Sequence, residues 1–152
     1  MEFLQVDSFE LIGISVLTSN DPGKAEVDIP TLWERFFAED IINKIPNRTD
    51  SSIYCVYTDY ESDHTQPYRV LLACAVSTID EIPDGMLAHR INKGRFHKFT
   101  AKGDMKDNII YNKWLNIWES DLDRTFQSDY ELYDERSQDR SNAEVDIFIG
   151  IK

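Results

Sequence analysis

Apolar positions along this chain recur at two different spacings, and the switches between them mark its elements. Phe9 to Leu17 is a short run rich in Ile and Val, the composition of a strand. Asn20-Asp21-Pro22-Gly23-Lys24 is turn chemistry. Within Ile29-Pro30-Thr31-Leu32-Trp33-Glu34-Arg35-Phe36-Phe37 the period becomes helical. Trp33, Phe36 and Phe37 fall at i, i+3 and i+4, so three large rings share one helical face. Pro30 suits a first turn, where its missing N–H goes unneeded. The spacing predicts a helix from about Pro30 to Asn43, ended at Ile45-Pro46-Asn47 because a residue before proline is pushed out of the helical region. Ser52 to Tyr60 is a β-branched and aromatic strand, and a polar link from Glu61 to Pro67 follows it. Tyr68 to Ser77 returns as an antiparallel strand whose near-continuous apolar heart suits a central position covered on both faces.

After Asp80-Glu81-Ile82-Pro83-Asp84-Gly85, the best candidate boundary, the pattern comes again. Met86 to Ile91 and Arg95 to Ala101 read as strand pieces around Asn92-Lys93-Gly94. Asp104 or Asp107 can cap a second helix running to about Asp121, with Trp114, Ile117 and Trp118 at the spacing of the first helix. Phe126 to Asp134 is a strand, and Glu135 to Asn142 is a polar hairpin loop. In the closing strand Val145, Ile147, Ile149 and Ile151 alternate with Asp146, Phe148 and Gly150, which predicts one face packed on the core. The order strand, helix, strand, strand therefore occurs twice. Equivalent positions drift slowly, 81 residues apart for Trp33 and Trp114, 76 for Tyr54 and Tyr130, and 75 for Val70 and Val145. The expectation is an α+β fold of two βαββ modules, the first over about 1–79 and the second over about 86–152, related by a pseudo-two-fold axis in one domain. The seam between them is a natural place for a ligand groove.

Bulk composition narrows the function. The chain has 152 residues, 41% hydrophobic and 12% aromatic, enough for a sizeable core and unlike a disordered sequence. Its net charge is −12, from 28 acidic and 16 basic residues. Such a surface repels phosphate backbones and anionic membranes, which argues against direct nucleic-acid or membrane partners. It attracts cations at long range. The N-terminus lacks a basic-then-apolar leader, and no apolar run reaches membrane-spanning length. Cys55 and Cys74 lie in apolar strands, read as small core residues, and fit a reducing cytoplasm.

Chemistry-bearing residues are sparse. Glu131 sits between Tyr130 and Leu132 in a strand, and alternation gives it the same face as Tyr133. Under the 76-residue offset its counterpart is Cys55, and that of Tyr133 is Tyr57, so one face carries Tyr57, Tyr133 and Glu131 together. A carboxylate among rings is costly to bury unless it is hydrogen-bonded or meets a cation. A ligand cation, helped by ring faces, is one solution, and exposure to solvent or a basic neighbour is the other. The rings themselves either fill the core or wall a pocket. His64, His89 and His97 are scattered without metal-ligand spacing, and no cofactor motif is present. Asp121, Asp123 and Asp129 read as a solvated acidic face.

Six stretches taken together carry a resemblance: 29–36 (IPTLWERF), 54–60 (YCVYTDY), 82–86 (IPDGM), 114–118 (WLNIW), 129–133 (DYELY) and 144–151 (EVDIFIGI). In this order they resemble the GyrI-like effector-binding superfamily, the ligand domains of AraC-type and MerR-type regulators and their free-standing relatives, above all the integron-cassette group. The resemblance implies duplicated βαββ modules, a groove between two helices, and binding of lipophilic, cationic or aromatic compounds. It maps the family's cation-partnering glutamate onto Glu131, and aromatic lining onto Trp33, Phe37, Tyr54, Tyr57, Trp114, Trp118 and Tyr133. The charge and length leave no place for a DNA-binding unit, so a free-standing small-molecule sensor is expected. Two alternatives follow from the same resemblance. One is a hydrolase of reactive xenobiotics with Glu131 as general base, aided by Tyr57 or Tyr133. The other is an acidic protein acting on a DNA-handling enzyme, for which a protein partner or a homodimer is compatible with the charge.

Overall fold

The computed structural model describes residues 2–61 and 66–152, so the part of the polar link formed by Ser62 to Thr65, with His64, lies outside the described residues. Eight strands form one antiparallel sheet: β1 (Glu2–Val6), β2 (Phe9–Thr18), β3 (Ile53–Thr58), β4 (Tyr68–Val76), β5 (Leu87–Ile91), β6 (Gly94–Gly103), β7 (Ser128–Tyr133) and β8 (Ala143–Ile151). Their order is β1-β6-β8-β7-β3-β4-β2-β5. The expected α+β antiparallel architecture is therefore present. The apolar pattern does not announce strand β1, which pairs with β6 at one edge, while β5 pairs with β2 at the other. Strands β3 and β7 meet in the middle, with Cys55 directly opposite Glu131.

The sheet curls. The ring of Phe9 in β2 stands 5.7 Å from that of Tyr130 in β7. These strands are three places apart, about 14 Å in a flat sheet. The hollow of this half-barrel is filled by Leu11, Val56, Leu71, Tyr130 and Phe148 among others. The opposite face carries the helices: α1 (Ala25–Ala38), its one-turn extension α2 (Ile41–Lys44), and α3 (Ile109–Trp118). Phe36 and Leu32 anchor α1 over Ile12, Ile14 and Leu72, while Trp114 and Ile117 anchor α3 over Ile147 and Ile149.

Several boundaries differ from the expectation. Helix α1 starts at Ala25, five residues before Pro30, because the turn hydrogen bond from Lys24 N–H to Asp21 O feeds straight into it. It stops at Ala38, since Asp40 takes a left-handed φ of 51° that breaks the run before α2. Asp104 caps a single 3-10 turn (Met105–Asp107) by accepting from Lys106 N–H, and α3 begins after Asn108. The three rings of α1 do not share one environment: Phe36 is buried, Trp33 half-buried, and Phe37 is 62% exposed. In β8 both faces are covered, for Phe148 fills the curl while Asp146 is held by Thr100 and Arg136.

Candidate ligand-binding site

Strand β7 builds the site. Its two-residue period sends Tyr130 and Leu132 into the curl and turns Asp129, Glu131 and Tyr133 toward the helices. Glu131 is 1% exposed. Its Oε2 accepts from Tyr57 Oη at 2.8 Å and from Trp114 Nε1 at 2.7 Å, and its Oε1 accepts from Tyr133 Oη at 2.5 Å. All three donors are neutral. Burial raises the carboxyl pKa above the usual range, opposed by hydrogen bonds from Tyr133, Trp114, Tyr57 and the Cys55 thiol. Burial also pushes the Tyr57 and Tyr133 phenols well up, so both stay protonated as donors. Each tyrosine meets one tryptophan edge-on: Tyr133 meets Trp33 at 4.9 Å and Tyr57 meets Trp114 at 5.0 Å.

Two residues earlier lies a second buried carboxylate. Asp129 is 0% exposed; its Oδ2 accepts from Tyr60 Oη at 2.6 Å and Arg124 Nη2 at 2.8 Å, and its Oδ1 accepts from Gly150 N–H at 2.8 Å. The expectation that Asp129 belongs to a solvated acidic face is corrected here. Alternation from Glu131 already places it on the covered face, and Arg124 supplies the charge that makes burial tolerable.

A cavity of about 670 Å³ opens between the start of α1 and helix α3. Ala25, Ile29 and Pro30 form one wall; Ile109, Trp114 and Trp118 form the other. Tyr57, Tyr60 and Tyr68 make the floor, with Arg124 at its side and the exposed Asp21 and Glu26 at the mouth. Its size suits a drug-sized organic molecule.

The fold agrees with what is found in known proteins. A family model described as Cass2, integron-associated effector binding protein, matches residues 2–151. The chain belongs to this family. Among the relatives of this effector-binding protein, YobU of Bacillus subtilis (strain 168), whose name makes it a candidate transcriptional regulator, is 26% identical over 97% of this chain and 94% of YobU. The crystal structure of the integron cassette protein VCH_CASS2 from Vibrio cholerae is similar with a TM-score of 0.74 and 28% identity, over 99% of this chain and 95% of that one. The structure of SAV2435 bound to tetraphenylphosphonium has a TM-score of 0.75 at 16% identity, over 99% and 93% of the two chains.

Within this effector-binding protein the residues singled out by sequence fall into three groups. Tyr57, Trp114 and Trp118 line the cavity. Glu131 does not; it lies beneath Tyr57 and Trp114, joined to both. Trp33 and Tyr133 pack against each other away from the cavity lining, and Phe37 stacks on the outer side of Trp33. Tyr54 faces the curl, against Phe9 and Tyr130, as its odd spacing from Tyr57 requires. Sequence reasoning missed Tyr60, Tyr68 and Arg124. Tyr68 begins β4 opposite the end of β3, a position that strand pairing alone could have flagged. Arg124 lies in an irregular segment and reaches the site through an isolated bridge to Ile151, which no periodicity announces.

Proposed function

We propose that this chain is a small-molecule sensor that takes a lipophilic aromatic cation into the cavity between α1 and α3, with Glu131 as the counter-charge. One observation carries the reading: a fully buried carboxylate, held among the described residues by neutral donors, lies directly under two rings of the cavity floor and wall. A bound cation relieves the cost of that charge, and the faces of Tyr57, Trp114 and Trp118 add cation–π attraction. That SAV2435 holds tetraphenylphosphonium supports a ligand of this class. Binding is preferred over hydrolysis because both Glu131 oxygens are occupied and neither lines the cavity, which leaves a general base no water to activate. We further infer that the two βαββ halves are copies of one module. The sheet order β2-β4-β3 then β7-β8-β6 reads alike from both ends, and Cys55 and Glu131 meet at its centre.

The test compares tetraphenylphosphonium with the neutral triphenylphosphine oxide by calorimetry. Glu131→Gln should lower the cation-to-neutral affinity ratio at least about tenfold, the size of a charge-assisted contact. An unchanged ratio removes Glu131 from the binding role.

A further inference from the structure

Arg124 has more hydrogen-bonding capacity than the fold uses. It is only 7% exposed, yet it forms part of the cavity wall. A guanidinium offers five N–H donors. Nη2 serves Asp129, while Nε is buried with no acceptor among the described residues. Asp129 cannot take a second arginine bond easily, since Tyr60 and Gly150 already occupy its remaining positions. The group is also firmly placed. Its backbone bridges to Ile151, Thr125 N–H bonds Gly150 O at 3.0 Å, and its carbon centre lies 4.3 Å from the Phe126 ring and 6.0 Å from that of Tyr60. Seen from that carbon both rings lie to one side, since their own centroids are 5.7 Å apart, so they steady the guanidinium without enclosing it. With Nε itself buried, the terminal N–H groups are those a cavity ligand can meet, and a fixed guanidinium presents them to a carboxylate or similar anionic oxygen.

We propose that the preferred ligands are two-headed: aromatic cations that also carry a carboxylate, the cation set over Glu131 and the carboxylate docked on the edge of Arg124. The cation half rests on the function proposed above. The carboxylate half does not follow from it, because a chain of net charge −12 disfavours an added negative group at long range.

Rhodamine 110, a zwitterion with a free carboxylate, and rhodamine 123, its cationic methyl ester, isolate the second head. Fluorescence polarisation on the full chain should give wild-type binding at least about tenfold tighter for rhodamine 110. Arg124→Lys keeps a charge beside Asp129 but loses the planar fork. Arg124→Gln with Asp129→Asn removes both charges together, so neither is stranded. In each the ratio should fall to about one. Equal or reversed wild-type affinities overturn the proposal, and so does a preference that survives in both variants. The wild-type ratio decides the matter even where a variant fails to fold. Glu131→Gln separates the two readings: if it weakens neither dye, the cation role falls while the Arg124 preference stands. A wild type that binds neither dye overturns both.

Discussion

Glu131 is the residue on which the proposed binding turns, and its environment makes a pH prediction with a definite sign. Three neutral donors and the Cys55 thiol favour the carboxylate, but complete burial outweighs them and the folded-state pKa is raised. In the unfolded chain the same group titrates near about 4.3. Below that value it is protonated in both states and costs the fold nothing. As pH climbs through the raised folded value, the charge must be kept in a dry site and stability is lost. A glutamine in its place would carry no such cost, and the amide can still accept from Trp114 while donating to a tyrosine hydroxyl. Glu131→Gln should therefore melt close to the wild type at pH 4 and clearly above it at pH 8, in thermal scans without ligand. A variant that melts lower at pH 8 would mean that the donors more than compensate the burial. A cation over the site should close the gap, since a ligand that binds only the folded state adds to its stability.

Elements were legible where a short period governs them. A two-residue alternation was enough to put Tyr57, Glu131 and Tyr133 on one face, because a strand in a pleated sheet has no other choice. The same alternation implies that Asp129 is covered and that Tyr54 faces away. Helix ends were less legible. Pro30 points to a first turn but stands sixth in α1, past the N–H groups that need no partner, and the break at Asp40 depends on a left-handed backbone that no side chain there demands. The register of β2 against β4 was not legible at all, although it hinges on one atom's absence. A Cβ on Gly13 would sit 1.9 Å from Leu72 O and 2.6 Å from Ala73 Cα, both backbone. Gly13 lies between β4 and β5 in the sheet, paired with Ala73 and Leu87, so neither neighbour can retreat alone. Gly13→Ala should cost about 3 kcal/mol or more in urea unfolding, at the upper end of overpacking penalties. A loss below about 1 kcal/mol would show that the strands part more easily than the packing suggests.

For the whole molecule, charge and fold act at different ranges, and salt can separate them. The net charge of −12 is spread over a surface that includes Asp21 and Glu26 at the cavity mouth, whereas Glu131 lies sealed beneath the floor. Exposed charges steer an approaching cation, and their reach shrinks to about 10 Å at 0.1 M salt. A buried carboxylate is screened far less, so the hold proposed for Glu131 on a bound cation should survive added salt. The two contributions should appear in different rate constants. In stopped-flow measurements from 20 to 500 mM NaCl, the tetraphenylphosphonium on-rate should fall about three- to tenfold while its off-rate stays within about twofold. Triphenylphosphine oxide, with no charge to steer, should show neither change. A salt-sensitive off-rate would place the counter-charge at the mouth, on Asp21 and Glu26, and not under the rings; a salt-insensitive on-rate would leave the acidic surface without a part in capture.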